Sequence, residues 1–412
     1  MKKFTILFAA IALVCFAVPA MAVDWNFYGS ARINTWYTSD DYGKGGSRDY
    51  ANQYQSPPPT DSKDKDTRWG MDGQDNSRIG ARVKHENVSG RVEIQLRGDD
   101  GGDPGSSVTT ESRLIYGVWN FGAGKLKIGK DYTPISQFIS GQVFDEDLGL
   151  LGIGTMYGNR TAQIALTFGG FEIALIEPYD SGGVGFAAYS ETELVGTFVR
   201  TLGPPLVVTE TTTFASGDVD SYIPKIEAKW GMAFDTWNFN IRGGWQYYSI
   251  EDVTYADGSK TDDIDVTSYA IGADAGVNFG PGYVKAALSW SRNPAQAAWH
   301  LPGLRTQTGG SAFWDGEDDT KDNDVLMGAL AGGLKVSDML SFEAGFGYRQ
   351  DDSDVKKAEK DKVWEAYVQS VIILAPGVYV VPEVGYTDYM DGVDDIDKGS
   401  ELWLGAKWQI DF

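Results

Sequence analysis

The sequence predicts an all-β chain, a transmembrane antiparallel β-barrel of about 16 strands with short periplasmic turns and long extracellular loops. Three observations carry this. Apolar and polar residues alternate with period two in segment after segment. The connections alternate between short turns and long polar stretches. After Val23 no apolar run approaches the ~20 residues of a spanning helix.

The first 22 residues stand apart. Lys2 and Lys3 precede an apolar run from Ile6 to Val18, and Ala20-Met21-Ala22 supplies small residues for cleavage, so residues 1–22 read as a secretory signal peptide. The only cysteine, Cys15, lies inside it, and Val14 is too bulky for a lipoprotein site. The remaining 23–412 is expected to be one exported barrel without disulfides.

From Trp25 the alternate residues are Trp25, Phe27, Gly29, Ala31, Ile33, Thr35 and Tyr37, opposed by Asn26, Tyr28, Ser30, Arg32, Asn34 and Trp36. Strand side chains point to opposite faces in turn, so one face is oily and the other mainly polar. The pattern returns at Ile79-Ala81-Val83, Val92-Ile94-Leu96, Ile226-Ala228-Trp230 and Trp237-Phe239-Ile241, and later at Leu340–Tyr348, Val378–Tyr386 and Leu402–Phe412. Around residues 113–121 and 325–335 both faces carry apolar residues.

Short turns are expected at Glu86–Gly90, Gly122–Gly124, Gly169-Gly170, Asp235-Thr236, Gly280–Gly282, Ser337-Asp338 and Pro376-Gly377. Long polar stretches lie between them at Ser39–Asn76, Asp131–Asn159, Tyr179–Ser221 and Asn293–Asn323. Such rim asymmetry is outer-membrane barrel anatomy. Trp25, Trp230, Trp237, Tyr283 and Trp408 fall near the short turns, and Tyr37, Tyr247, Tyr348 and Tyr386 near the long loops, as two interfacial girdles require. A soluble β-sandwich would instead place its large aromatics mid-strand. Closure follows because lipid cannot satisfy an open sheet edge.

A barrel this wide leaves an aqueous lumen. Parity places Arg32, Arg78, Arg82, Arg113, Lys225, Lys229 and Arg242 on its wall, with Glu93, Glu227, Glu343, Glu365 and Glu383 among the opposing carboxylates. The wall is net basic, whereas the chain carries −23 from 35 Lys+Arg and 58 Asp+Glu. The acidic excess therefore lies in loops: Asp99-Asp100, Asp315–Asp324, Asp351–Asp354 and Asp391–Asp397. These read as solvated, self-repelling faces, or as sites of weak divalent-cation bridging to anionic outer-membrane lipid and lipopolysaccharide. So acidic a chain repels nucleic acid, and no nucleic-acid partner is expected.

Catalytic and cofactor motifs are poorly represented. Gly152-Ile153-Gly154 with Gly158 has the wrong spacing for a nucleotide loop. His85 and His300 fall on opposite rims, and His85-Glu86 lacks a second His. No enzyme activity, resident cofactor or metal is expected. Both histidines are expected in solvated or girdle positions.

Several stretches resemble one family, the trimeric general diffusion porins of Gram-negative outer membranes. They are Phe27-Tyr28-Gly29, Asn76–Gly80, Ser112–Val118 with Gly124–Tyr132, and the closing Trp408–Phe412. The resemblance is concentrated in residues 23–175 and the last strand. It implies a homotrimer of sixteen-stranded barrels in the outer membrane, passing small hydrophilic solutes and ions by passive diffusion through a waist formed by the third loop, residues 131–159. It also implies a basic side, Arg78, Arg113 and Arg160, with Arg32 on the same face as Ser30, and an acidic side drawn from Asp145, Glu146 or Asp147. Three departures accompany it. The family's Pro-Glu-Phe-Gly-Gly string is absent, Ser30 stands where a basic residue is common, and Arg160 shares parity with Ala162 and Ile164, so it needs a bulge to point inward. Two other readings remain open: a substrate-specific, anion-preferring channel, and a surface adhesin whose barrel is plugged.

Overall fold

The computed structural model describes residues 23–41, 66–97, 109–179, 215–255, 260, 263–300, 306, 309–314, 320–354, 360–390 and 399–412. The signal peptide and the acidic stretches Asp99-Asp100 and Asp391–Asp397 lie outside them, as do residues 315–319.

The chain forms a closed 16-strand antiparallel barrel. The first half of the wall comprises β1 (Asp24–Asp40), β2 (Asp66–Gly73), β3 (Arg78–His85), β4 (Val88–Arg97), β5 (Thr109–Asn120), β6 (Lys125–Tyr132), β7 (Arg160–Phe168), β8 (Phe171–Ile176), β9 (Ala215–Asp220) and β10 (Lys225–Ala233). The second half comprises β11 (Trp237–Tyr255), β12 (Ile264–Phe279), β13 (Gly282–Arg292), β16 (Asn323–Lys335), β17 (Leu340–Ser353), β18 (Asp361–Ala375), β19 (Val378–Asp388) and β20 (Ser400–Asp411). The small hairpin β14 (Phe313–Trp314) and β15 (Thr320–Lys321) lies between β13 and β16. Two wall strands are broken: β2 and β3 both pair with β1, and β9 and β10 both pair with β11. The ring closes where β20 pairs with β1, Ser30 opposite Asp411 through Asp40 opposite Glu401.

The short turns fall where Gly, Pro, Asn and Asp cluster. Gly169 and Gly377 adopt φ 56° and 79°, values that tax any residue with a Cβ. The strand following the first long loop starts at Asp66, earlier than Asn76, because Thr67, Trp69, Met71 and Gly73 continue the alternation against β1.

Outward faces are apolar and uncovered: Phe27, Ile79, Val92, Ile128, Ile164, Leu288, Leu330 and Leu404 are all exposed. Exposed apolar side chains in a continuous band, with polar residues buried inside, invert the soluble pattern and suit hydrocarbon. Trp25, Trp230, Trp237 and Trp408 are exposed on this outer face. Tyr283 departs from the girdle expectation. Its parity turns it inward, where its hydroxyl donates to Glu343.

The interior is filled on one side. The segment between β6 and β7 enters the barrel, and so does Asn293–His300 after β13. Trp299 is fully buried against Ile135, Met156, Ala270, Val325 and Met327. His300 is accordingly buried, not solvated, and burial beside Arg349 pushes its imidazole down to about 3, leaving it neutral.

Candidate functional site

The loop of residues 133–159 begins where β6 ends, and it must satisfy many backbone N–H groups away from water. Wall carboxylates do this. Glu227 of β10 accepts from Ile135 N (3.0 Å) and from Trp299 Nε1 (2.9 Å). Glu343 of β17 accepts from Gly141 N at 2.7 Å, and Glu365 of β18 accepts from the Gln142 amide. Glu383 of β19 accepts from Val143 N (2.7 Å), Phe144 N (3.3 Å) and Trp403 Nε1 (2.8 Å). Arg242 and Arg349 donate to loop carbonyls at Pro134 (2.8 Å) and Gly152 (3.1 Å). The loop thus follows the inner wall from β10 round to β20.

Several expected wall residues are consequently covered, Glu227, Glu343 and Glu365 among them. Lys225 is 0% exposed, its ammonium on the Ala297 carbonyl at 2.9 Å, and Glu383 is 2% exposed beneath the loop. Neither lines open water, because the in-folded segments use both as anchors.

At its far end the loop turns sharply. Phe144 stacks on Trp403 (4.4 Å, 8°) and meets Trp36 edge-on (5.1 Å, 88°). Each such pair contributes about 0.5–1.5 kcal/mol beyond area burial. The next three residues, Asp145, Glu146 and Asp147, adopt left-handed φ of 51°, 67° and 60°. That geometry costs about 1–2 kcal/mol per non-glycine residue, so surrounding contacts must hold it.

Those contacts come from the wall. Arg32 Nη1 reaches Asp147 Oδ2 at 2.5 Å and Lys407 Nζ reaches Oδ1 at 2.9 Å. Burial opposes ionisation of Asp147, but Lys407 and Arg32 overcome it and hold the carboxyl below its usual range. Asn34 Nδ2 donates to Glu146 Oε1 at 3.2 Å, and Asn76 donates to the Glu146 carbonyl. Burial, with Asp75, Asp147 and Asp145 nearby, pushes the Glu146 carboxyl up to about 8. Asn76 can reach because the wall strand breaks between β2 and β3.

Beyond the tip lies an arginine cluster. Glu93 of β4, fully buried, receives Arg113 Nε at 2.8 Å, Arg91 Nη2 at 2.6 Å and Arg78 Nη1 at 3.4 Å. Arg113 also donates to Asn76 Oδ1 (2.5 Å), Gln95 Oε1 (3.0 Å) and the Tyr132 hydroxyl (3.1 Å). Its placement depends on a bulge. Glu93 lies opposite Leu114 and Ile94 opposite Ser112, so Arg113 is the extra residue of β5. The bulge turns both Arg113 and Leu114 inward, which accounts for the mixed faces of this stretch in the sequence.

Arg160 is placed differently. Register runs unbroken from β6 to β7, and no bulge redirects it. As the first residue of β7, it lays its guanidinium over the Tyr132 ring at 5.7 Å. Arg82 stacks over Tyr28 at 5.0 Å, Lys229 pairs with Glu172 at 3.3 Å, and Arg242 with Asp274 at 2.6 Å. Sequence reasoning gave Glu93, Arg91 and Lys407 no individual role, and the convergence of three arginines on one carboxylate requires cross-strand register to see. The anchoring role of Glu227, Glu343, Glu365 and Glu383 was equally hidden. Of the stretches expected to be solvated acidic loops, Asp324 falls in β16 and Asp351 in β17, the latter fully buried; Arg292 pairs with Asp322 (3.0 Å) and Asp324 (2.7 Å), and Arg349 with Asp351 (2.6 Å). Among the described residues, no group of three or more His, Cys, Asp or Glu side chains is arranged to hold a metal.

The arrangement is thus a closed ring of sixteen strands, oily outside and charged within, crossed by an anchored loop whose tip faces arginines. The fold is similar to the outer membrane channel DcaP of Acinetobacter baumannii (14% identity, 95% of this chain and 99% of that one, TM-score 0.63). It is also similar to an anion-selective porin from Comamonas acidovorans (14% identity, 95% and 100% covered, TM-score 0.52). Salmonella typhi OmpF, solved in complex with daunomycin, is a further likeness (10% identity, 95% and 99% covered, TM-score 0.53). No curated protein matches the chain by sequence. A family model described as Gram-negative porin matches residues 9–392. With that match across nearly the whole chain and a wall built to stand in lipid, the chain belongs to the Gram-negative porin family and is an outer-membrane channel for passive diffusion.

Proposed function

We propose that solutes cross between the loop tip and the basic side of the wall, and that the channel prefers small hydrophilic anions. One observation carries this: the in-folded segments cover the wall carboxylates of β10, β17, β18 and β19 and leave cations of β3 and β4 facing water. Glu227, Glu343, Glu365 and Glu383 are 0–9% exposed beneath them. On β3 and β4, Arg82 and Lys84 are exposed, and Arg91 and Arg78 keep 24% and 17% of their side-chain surface. A charged ring lining water biases which ion enters, and no chemical step is involved.

Arg32, Arg78 and Arg113 form the basic side of this waist and Asp145, Glu146 and Asp147 the acidic side, with Arg160 flanking through Tyr132. Trimeric assembly accompanies this reading by family likeness. Purified protein in a planar bilayer is expected to give stepwise, water-filled openings. In a KCl gradient the reversal potential is expected to take the sign of chloride preference. A sealed barrel, as a plugged adhesin requires, gives no steps. A potassium-selective sign rejects the anion preference.

A further inference from the structure

Phe138 is 52% exposed, and among the described residues of the loop no other large apolar side chain is exposed. Its neighbours are turned to the wall. Gln137 donates to the Ala273 carbonyl at 3.1 Å, and Ile139 is buried among Phe144, Ala287, Ala329, Tyr367 and Trp403. Phe138 therefore points off the wall into the bore. A bare phenyl ring inside an aqueous passage is unfavourable unless something apolar comes to cover it.

The ring is not isolated. It meets Tyr132 edge-on (5.1 Å, 78°) and Tyr157 likewise (6.0 Å, 71°), and the two tyrosines lie 6.2 Å apart. The three make an aromatic cluster, a shelf whose exposed ring is Phe138 with the two tyrosines edge-on to it. Cations border it: Arg160 lies over the Tyr132 ring, and Arg113 donates to the Tyr132 hydroxyl while sharing Glu93 with Arg78 and Arg91. Three arginines thus converge on one carboxylate beside the shelf. The exposed ring of Phe138 next to clustered guanidinium groups matches a solute with a planar ring and a single anionic group.

We infer that the bore carries a subsite for small aromatic anions, the ring lying on Phe138 and the anionic head turned to Arg78 and Arg91. This rests on the reading of an open, anion-preferring bore and names a solute class for it. Aliphatic anions of equal charge find the arginines but not the shelf.

Benzenesulfonate and methanesulfonate separate the two contributions, because both stay fully ionised and neither crosses lipid as a neutral acid. Half-blocking concentrations of each are measured on chloride conductance in planar bilayers. Binding of each to detergent-solubilised protein is measured by calorimetry. The wild type is expected to hold benzenesulfonate about three- to tenfold more tightly, the range of one or two aromatic contacts. Phe138→Ala is expected to bring the ratio close to one, and Phe138→Tyr to keep it. Arg78→Gln is expected to weaken both anions together and leave the ratio standing. A wild-type ratio near one, or a ratio that survives Phe138→Ala, overturns the subsite while the chloride steps still establish the channel. Absence of chloride steps overturns the open bore, and the subsite with it.

Discussion

Arg32 and Asp147, 115 residues apart in sequence, meet at 2.5 Å, and Lys407 closes on the same carboxylate from the next strand at 2.9 Å. The tip of the loop is therefore fastened to the wall where β1 and β20 close the barrel. Asp147→Asn removes one negative charge and frees two cations toward the bore. The reversal potential in a salt gradient is expected to move further toward chloride. Movement toward potassium, or none, places Asp147 outside the ion path.

Glu146 makes the same tip sensitive to pH. Its carboxyl is raised to about 8, first by burial and then by Asp75, Asp147 and Asp145, so it stays protonated at neutral pH. A carboxyl with a raised folded-state value adds stability that is fully present below the unfolded value of about 4.3 and is lost as pH climbs through the folded one. Between pH 7 and 9 the tip gains a charge beside three other carboxyl groups. Chloride preference is expected to fall and open-channel noise to rise over that interval. Glu146→Gln is expected to flatten both, and a pH response that persists in this variant assigns it elsewhere.

The barrel was legible because lipid imposes a simple code: a lipid-facing Ile79 or Leu404 must be apolar, and its neighbour across the pleat need not be. Turns were legible for a similar reason, since Gly169-Gly170 and Pro376-Gly377 fit little else. The waist was less so. Arg113 was expected on the inner wall, yet it shares the parity of the lipid-facing Ile115 and Trp119, and it is the inserted residue in β5 that turns it inward. Glu383 looked like a wall carboxylate facing water, because nothing local reveals that Val143 and Phe144 will arrive from 240 residues away to donate to it. The entry of Asn293–His300 escaped for the same reason. Nothing local in its apolar Ala297 and Trp299 betrays their buried partners, which are another loop and distant wall strands.

Arg113 joins the stability of the wall to the selectivity of the bore. It is 4% exposed and makes four side-chain contacts, to Glu93, Asn76, Gln95 and Tyr132. Arg113→Ala deletes a positive charge and leaves Glu93 to Arg78 and Arg91, so the preference is expected to shift toward cations. Because two arginines remain on Glu93, the stability cost is expected near that of an unsatisfied buried group, about 1–3 kcal/mol. Bi-ionic reversal potential and urea unfolding in detergent check the two effects separately. An unchanged reversal potential takes Arg113 out of the waist.

Glu383 tests whether the loop is held by its anchors or by the tip alone. One carboxylate accepts from two consecutive backbone N–H groups and from the indole of Trp403, the ring on which Phe144 stacks. Glu383→Ala strands all three donors away from water, each at a cost of about 1–3 kcal/mol if left unpaired. The loop is expected to lift there, with larger conductance and frequent sub-state flicker in single-channel records. Glu383→Gln retains a carbonyl oxygen that can accept from Val143 N, so it is expected to stay near the wild-type conductance with modest flicker. Quiet, unaltered channels in the alanine variant would mean that the Arg32–Asp147–Lys407 latch suffices, and would move the mechanical hold on the waist from β19 to the β1–β20 seam.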